Sequence, residues 1–344
     1  MTTASPAPAR TAAPAGPPAV PRPVLVTVAV PTYRRHDRLR GMLPLVLDQA
    51  RELATRSGGR HVARVLVIDN DPDGGAAVVV DEVAAPDLRY VVERTPGIAA
   101  VRNRALDECA DADLLVFIDD DERPEPHWLA RLLDAWAGSG AAAVAGRVHP
   151  EFAGELDPWV RAGGFFARRS LPSGTALDVA ATSNLLLDLA QVRAFGVRFD
   201  QGLGLAGGED NLFSRSLVRA GGRMVWCDES VVADLVPAER MTRSWVLARA
   251  WSHGNAAVLT ELRLARRPVE RGRLRALWTV RGAVRVGGGA ARWCLGTLIR
   301  ADRHRARGLR AVWRGCGIIA GAGGLVYREY ARTGARLRFG RIGS

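Results

Sequence analysis

With 344 residues, 48% of them hydrophobic, the chain can bury a substantial core as one large domain or as a domain with an appendage. Four scattered cysteines (Cys109, Cys227, Cys294 and Cys316), with no CxxC pair and no zinc-type spacing, exclude a disulfide framework and read as small apolar fillers in a reducing compartment. The formal net charge of +12 is uneven: residues 241–344 hold 22 Arg against 4 Asp and Glu, a local +18 that leaves −6 for the remainder. A mildly acidic body with a strongly basic tail is a division of labour rather than a uniformly basic protein. No Lys occurs, so every basic side chain other than His is a guanidinium.

Residues 1–23 are Ala, Pro and Thr with two Arg, a composition with little to bury that is expected to be disordered. Its prolines interrupt any apolar core of a signal peptide, so secretion is not expected. Val24 to Val30 reads as a buried strand ending at Pro31-Thr32-Tyr33-Arg34-Arg35, followed by a helix from Asp37 through Leu39, Leu43, Leu47 and Ala50. Val65 to Ile68 is a second strand, ending in Asp69-Asn70-Asp71-Pro72, and Leu88 to Val92 a third. Gly97 to Ala110 reads as a helix with Arg102, Asn103 and Arg104 in its first turns. Leu114 to Ile118 is a continuous apolar run that stops at Asp119-Asp120-Asp121-Glu122, because acidic residues are poor strand formers. A helix over Pro126 to Trp136 and a strand over Ala141 to Val148 follow. Strands alternating with helices predict an α/β fold, a doubly wound, mainly parallel sheet.

Polar residues fall at the carboxyl ends of three of these strands: Thr32 and Arg34, Asp69, and the Asp119–Glu122 cluster. Open α/β sheets place their ligands on that side. Four adjacent carboxylates repel unless a cation or donor groups offset them, and oxygen-rich clusters suit Mg2+ or Mn2+, which also bind phosphates. Alone, the cluster reads equally as a solvated acidic turn.

The middle of the chain is less regular. Ala180 to Leu187 reads as a strand carrying the polar triplet Thr182-Ser183-Asn184. Gly202-Leu203-Gly204 and Gly207-Gly208 frame a mobile loop before Glu209-Asp210-Asn211, and a helix follows with Leu212, Phe213, Leu217 and Val218 on one face. Acidic residues in a first helical turn also suit the helix dipole, whatever else they do. In the tail, Trp245, Leu247, Ala248, Trp251 and Val258 mark one amphipathic helix, and Trp278 and Trp293 lie among arginines farther on. Residues 311–327 form the longest weakly polar run, but Arg314 and its glycines leave it short of the roughly 20 apolar residues of a membrane span. Arg-rich segments with Trp suit the face of an anionic membrane; the plain alternative is a helical cap packed on the body. The expected division is a tail (1–23), a catalytic domain (24–240, with a nucleotide half 24–122 and an acceptor half 123–240), and a basic amphipathic helical region (241–344) associated with a membrane.

In order along residues 24–262, these motifs resemble an inverting nucleotide-sugar glycosyltransferase of family 2 with the GT-A fold. Val28 to Arg35 resembles the opening strand and nucleotide loop. Val67-Ile68-Asp69-Asn70 resembles the second strand, and Gly97-Ile98-Ala99-Ala100-Val101-Arg102-Asn103 the G-x-x-x-A-R-N helix, with Val101 in place of the usual Ala. Phe117 to Glu122 resembles the D-x-D metal site, and Gly208-Glu209-Asp210 the later E-D motif. Within the family, the pattern looks closest to bacterial exopolysaccharide-type glucosyltransferases, whose basic C-terminal region works at the cytoplasmic membrane face.

The resemblance implies a role for each matching residue. Asp121 would coordinate the metal directly, while Asp119 would meet the ribose or a metal-bound water. Asp69 would accept a hydrogen bond from the base, with Pro31, Thr32 and Tyr33 beside it. Arg102 suits phosphate, since it is planar and always charged, and Arg35 and Arg38 are further candidates. Gly97, Asn103 and Asp120 belong to the same nucleotide-sugar site. Asp210 would be the general base that inversion requires, with Glu209 fixing nearby hydroxyls. Asn184 would hydrogen-bond the donor sugar or simply end a strand, and Asp234 stands where relatives have a third contact. The implied partners are Mg2+ or Mn2+, a UDP-glucose-like donor, a hydroxyl acceptor for which a polyprenyl-linked saccharide is the default, and an anionic membrane surface. A small-molecule acceptor remains an alternative. A sugar-1-phosphate nucleotidyltransferase is disfavoured because Pro31-Thr32-Tyr33 stands where its Gly-rich phosphate loop belongs. A non-enzymatic nucleic-acid binder is disfavoured because no recognition motif accompanies the charge. No Q-x-x-R-W signature of processive synthases occurs, so one sugar per encounter is expected.

Overall fold

A computed structural model describes residues 22–203, 207–327 and 339–341. The expected disorder of residues 1–21 and the tip of the Gly-rich loop, 204–206, lie outside the described residues. Eight strands form one sheet: β1 (Val24–Thr32), β2 (His61–Asp69), β3 (Leu88–Val92), β4 (Leu114–Ile118), β5 (Glu122–Pro124), β6 (Ala143–Phe152), β7 (Asn184–Asp188) and β8 (Met224–Val236). Their order is β3-β2-β1-β4-β7-β6-β8-β5. The first four are parallel, as the sequence predicts. β7 then runs antiparallel to both β4 and β6, and β5 antiparallel to β8. The predicted strand over Ala180 to Leu187 is corrected to Asn184–Asp188, since the polar residues before it form a turn.

Alternation along β1 feeds two apolar layers. Val28 and Val30 face α1 (His36–Arg56) and α4 (Trp128–Ser139), where Leu39, Leu43, Trp128 and Leu132 are fully buried. Ala29 faces the opposite layer, with α3 (Ile98–Glu108) and α7 (Glu209–Arg219) supplying Val101, Phe213 and Leu217. Each fully buried Leu or Phe contributes about 1.5–3 kcal/mol, and cover on both faces explains why β4 is apolar throughout. Two short helices, α5 (Pro158–Gly163) and α6 (Leu189–Phe195), and α2 (Ala77–Val83) complete the body.

The described residues of the basic region form three long helices, α8 (Arg243–Leu264), α9 (Pro268–Leu298) and α10 (Asp302–Ala322), and a short antiparallel pair of strands, Leu325–Tyr327 with Phe339–Arg341. α10 packs along α9 and α8, and its first half lies on α5. These contacts are made by glycine. A Cβ on Gly289 would lie 2.9 Å from the Gly308 carbonyl oxygen, and one on Gly315 2.8 Å from that of Gly282. Gly317 lies against the Trp251 backbone so closely that a Cβ would overlap it. The seven-residue spacing of Gly282, Gly289 and Gly296 therefore marks a seam of backbone contact. Meanwhile Val269, Val280, Val284 and Leu298 are 62–82% exposed. No helix among the described residues is long and apolar enough to cross a membrane.

α8 is not detached from the body. Ala256 and Thr260 support the Gly208 turn, the Thr260 hydroxyl donating to the Gly208 carbonyl at 3.5 Å, and Arg215 pairs with Glu261. Arg240, just before the expected boundary, reaches into the acidic cluster of the body.

Candidate active site

β1 and β2 end in register, Thr32 opposite Asp69, and β4 ends beside β1. The acidic cluster therefore opens on the same sheet edge as the loop after Thr32. Thr32 Oγ1 donates to Asp120 Oδ2 at 2.8 Å, and Arg35 donates to Asp120 Oδ1 at 2.7 Å. Asp121 Oδ2 accepts from Arg38 (2.9 Å), Arg35 (3.2 Å) and Arg240 (3.3 Å). Glu122 is buried and accepts from the Asp119 backbone N–H at 3.2 Å. On the strand beside it stands Asp234, paired with Arg168.

Arg102, on the first turns of α3, is buried and forms an ion pair with Glu209 at the start of α7, residues 107 apart in the chain. Phe199 lies under the guanidinium, 5.7 Å away. A buried pair of this kind is held only if both members stay. Gly208, with φ +90°, makes the turn that delivers Glu209, a conformation that L side chains rarely adopt. Asp210 is half-buried; one of its oxygens accepts from the Asn211 N–H at 2.6 Å. Glu209 thus faces the site floor while its neighbour remains available.

Burial and mutual repulsion dominate the electrostatics. Burial pushes the Asp119 carboxyl up to about 7, with Asp121 and Asp120 adding to the rise and Arg102 and Arg35 opposing it. Glu122 is raised well above its ordinary value by burial and by Asp119, Asp121 and Asp234. Asp120 and Glu209 are raised for the same first reason. This concentration of costly carboxylates at one sheet edge marks a functional site.

The donor set fits a divalent cation in a limited way. Among the described residues no three His, Cys, Asp or Glu side chains converge as a ready-made cage. Among those residues, too, no side chain donates to the Asp119 carboxylate, and Asp121 has one oxygen outside its arginine contacts. Two carboxylates completed by substrate phosphates is the habit of Mg2+ rather than of an all-protein site.

Three of the predicted site residues have other roles. Asp69 is fully buried, and its carboxylate accepts from the N–H of Asp71 (2.8 Å), the N–H of Ala76 (2.9 Å) and the hydroxyl of Tyr90 (2.9 Å). These bonds shape the loop after β2. Asn103 bonds both the N–H and the carbonyl of Phe199, at 3.0 and 2.8 Å, and so fastens α3 to that segment. Asn184 accepts from Trp128 Nε1 at 2.9 Å and donates to the carbonyls of Arg147 and Ser230 at 3.0 and 3.1 Å, which makes it a core staple rather than a sugar contact. Gly97 (φ +118°) donates its N–H to Asn70 Oδ1 at 3.0 Å, joining the loops after β2 and β3. Pro31 is buried in β1, and the half-buried Tyr33 has Arg34 over its ring. Sequence reasoning missed Arg240, which no local motif marks, and Tyr90, whose partner is 21 residues away.

Sheet order and site together define a GT-A-type glycosyltransferase. Residues 27–189 match the model of glycosyl transferase family 2. The chain is 31% identical over 315 residues to the succinoglycan biosynthesis protein ExoM of Rhizobium meliloti (strain 1021), covering 90% of this chain and 96% of that one. It is 26% identical over 165 residues to the glycosyltransferase AglE of Haloferax volcanii, covering 47% of this chain and 52% of the relative. The crystal structure of GalNAc-T7 with UDP, GalNAc and Mn2+ superposes with a TM-score of 0.50 at 12% identity, over 68% of this chain and 51% of that one; this likeness concerns the fold alone. The chain belongs to glycosyl transferase family 2 and is a glycosyltransferase, as the motif resemblance implies.

Proposed function

We propose that the protein transfers one sugar from a UDP-glucose-like nucleotide-sugar to a hydroxyl acceptor, with inversion, in the building of an extracellular polysaccharide. The single observation behind this is the division between Glu209 and Asp210. Glu209 is buried in the floor and ion-paired with Arg102, whereas Asp210 is half-buried, so Asp210 is the carboxylate of the pair that an acceptor can reach and that takes its proton as the new bond forms. Arg35, Arg38 and Arg240 surround Asp121 and present guanidinium groups suited to the donor's diphosphate. Pro31, Thr32 and Tyr33 line the sheet edge where the nucleotide would lie. Asp119 and Asp121 would hold Mg2+ or Mn2+, which when bound offsets the charge of the departing diphosphate.

ExoM, by its name a succinoglycan biosynthesis protein, supports an acceptor that is a growing, lipid-linked saccharide. The exposed Val280, Val284, Leu298 and Trp313, set among the arginines of α9 and α10, support peripheral attachment to the anionic inner face of the cell membrane.

The test is nucleotide release from UDP-, GDP- and dTDP-sugars with Mn2+, Mg2+ or chelator. One donor is turned over with metal and not with chelator, and Asp210→Asn lowers the rate about 10²–10⁴-fold while the thermal midpoint holds. Asp121→Ala abolishes turnover. No turnover of any donor under any metal condition would sink the reading.

A further inference from the structure

The body pairs its buried arginines with acids. In the helical region, Arg310 and Arg314 have no acidic partner among the described residues. Between the segment after α5 and helices α8 and α10 lies a cavity of about 40 Å³, lined by Phe165, Trp245, Arg249, His253, Arg310 and Arg314 among others. At about 10–15 Å³ per water, it has room for roughly three water-sized groups, the scale of one phosphate head. None of its described lining residues is acidic. Arg310 is held in place by donating to the Gly164 carbonyl at 3.1 Å and by the Phe165 ring 5.4 Å beneath it. Arg314 has no ion pair or side-chain hydrogen bond among the described residues.

Burial and neighbouring arginines, Arg285 for both, lower the pKa values of Arg310 and Arg314. Desolvation and the field of Arg249, Arg314, Arg310 and Arg168 push His253 down to about 3. Arg310 and Arg314, brought together with no acid among the described residues, destabilise the fold until an anion joins them.

Two connections narrow the anion. Arg285 also lines an open groove of about 500 Å³ with Trp278, Val280, Val284 and Ile318, so an apolar trough adjoins the arginine pocket. On the other side, Arg168 reaches from the field around His253 to Asp234, the cross-strand neighbour of Glu122. The pocket is therefore one ion pair from the acidic cluster.

We propose that this pocket is the subsite for the phosphate of an amphiphilic acceptor, with Arg310 and Arg314 holding the phosphate and the Trp278–Val284–Ile318 groove taking its apolar chain. Naming the ligand as the acceptor rests on the glycosyl-transfer reading; the binding itself does not. Arg and phosphate match in geometry as well as charge.

The experiment uses the full chain in chelator without donor, so that it needs no turnover and stands whether or not the transfer reading does. Binding of dodecyl phosphate, inorganic phosphate and dodecyl maltoside, all below micellar concentration, is followed by tryptophan fluorescence, since Trp245 and Trp278 line the two sites. Dodecyl phosphate binds at least about tenfold tighter than either control, and Arg314→Gln weakens it about tenfold or more. Arg273→Gln, the same charge change at an exposed position on α9, leaves it unchanged. Inorganic phosphate binding as tightly would mean a free-anion site, the maltoside binding as tightly a merely greasy groove, and equal weakening by Arg273→Gln diffuse charge; each overturns the proposal, as does no binding at all. If Arg314→Gln does not fold, inorganic pyrophosphate is titrated against dodecyl phosphate bound to the wild-type chain: displacement supports the pocket and its absence overturns it.

Discussion

The catalytic body and the helical region keep charge and apolar surface in opposite places. In the body, apolar side chains are inside, and buried charges come as opposed partners, Arg102 with Glu209 and three arginines on Asp121. In the helical region, glycines make the closest helix contacts, several valines and leucines of α9 stand exposed, and Arg310 and Arg314 share a pocket with no acid among its described lining residues. The helices are held together by close backbone approach, the device used where the surroundings offer little hydrophobic drive, and they leave apolar surface and positive charge for something else to meet.

Substitutions should expose that difference. Trp128→Ala breaks the body hardest: it opens a cavity and leaves Asn184 without its indole donor, at about 3–5 kcal/mol by chemical denaturation. Glu209→Ala costs a similar or slightly smaller amount, about 3–5 kcal/mol, because Arg102 stays buried without its opposite charge; Glu209→Asp would recover part of it. pH tests the same principle. Asp119, raised to about 7, holds its proton in the folded state between about pH 4 and about 7 while the unfolded chain loses it, and Glu122, also raised, acts in the same direction. Unfolding free energy, measured in chelator, therefore falls as pH rises through that window, on the order of a few kcal/mol. Asp119→Asn flattens the fall.

The helical region responds to a different pair of changes. Gly317→Ala, a good substitution in an ordinary helix, forces a methyl onto the Trp251 backbone and lowers stability by about 1–3 kcal/mol. Leu298→Ser, at an 82% exposed position, changes stability by less than about 0.5 kcal/mol yet weakens flotation with anionic vesicles. If the glycine change were silent and the leucine change costly, the contrast between the two regions would be wrong.

What the sequence revealed followed from how local each signal is. The run from Leu114 to Glu122 states its own strand, its end and its charge within nine residues, and the Gly208-Glu209-Asp210 turn is equally self-contained. The parallel half of the sheet was readable for the same reason. Asp69 and Asn103 were placed in the site by their motifs, and Asn184 was left between a sugar contact and a strand end, because a polar residue at a strand end or helix start looks the same whether its partner is a substrate or the chain. Their partners, Tyr90, Phe199 and Trp128, lie 21, 96 and 56 residues away. The antiparallel insertion of β7 and the long β8, broken by Asp228-Glu229-Ser230, have no such local statement. The glycines of residues 311–327 counted only as a reason against a membrane span, and the seven-residue spacing of Gly282, Gly289 and Gly296 was the readable sign of a seam.

The three hydrogen bonds on Asp69 also bear on how fast and how selectively a donor would be bound. They fix the chain from Asp71 to Ala76 before any nucleotide arrives, so that wall of the site is rigid in the free enzyme. Binding against a rigid wall forfeits little conformational freedom on that side. Donors would then be discriminated by whether they fit that wall.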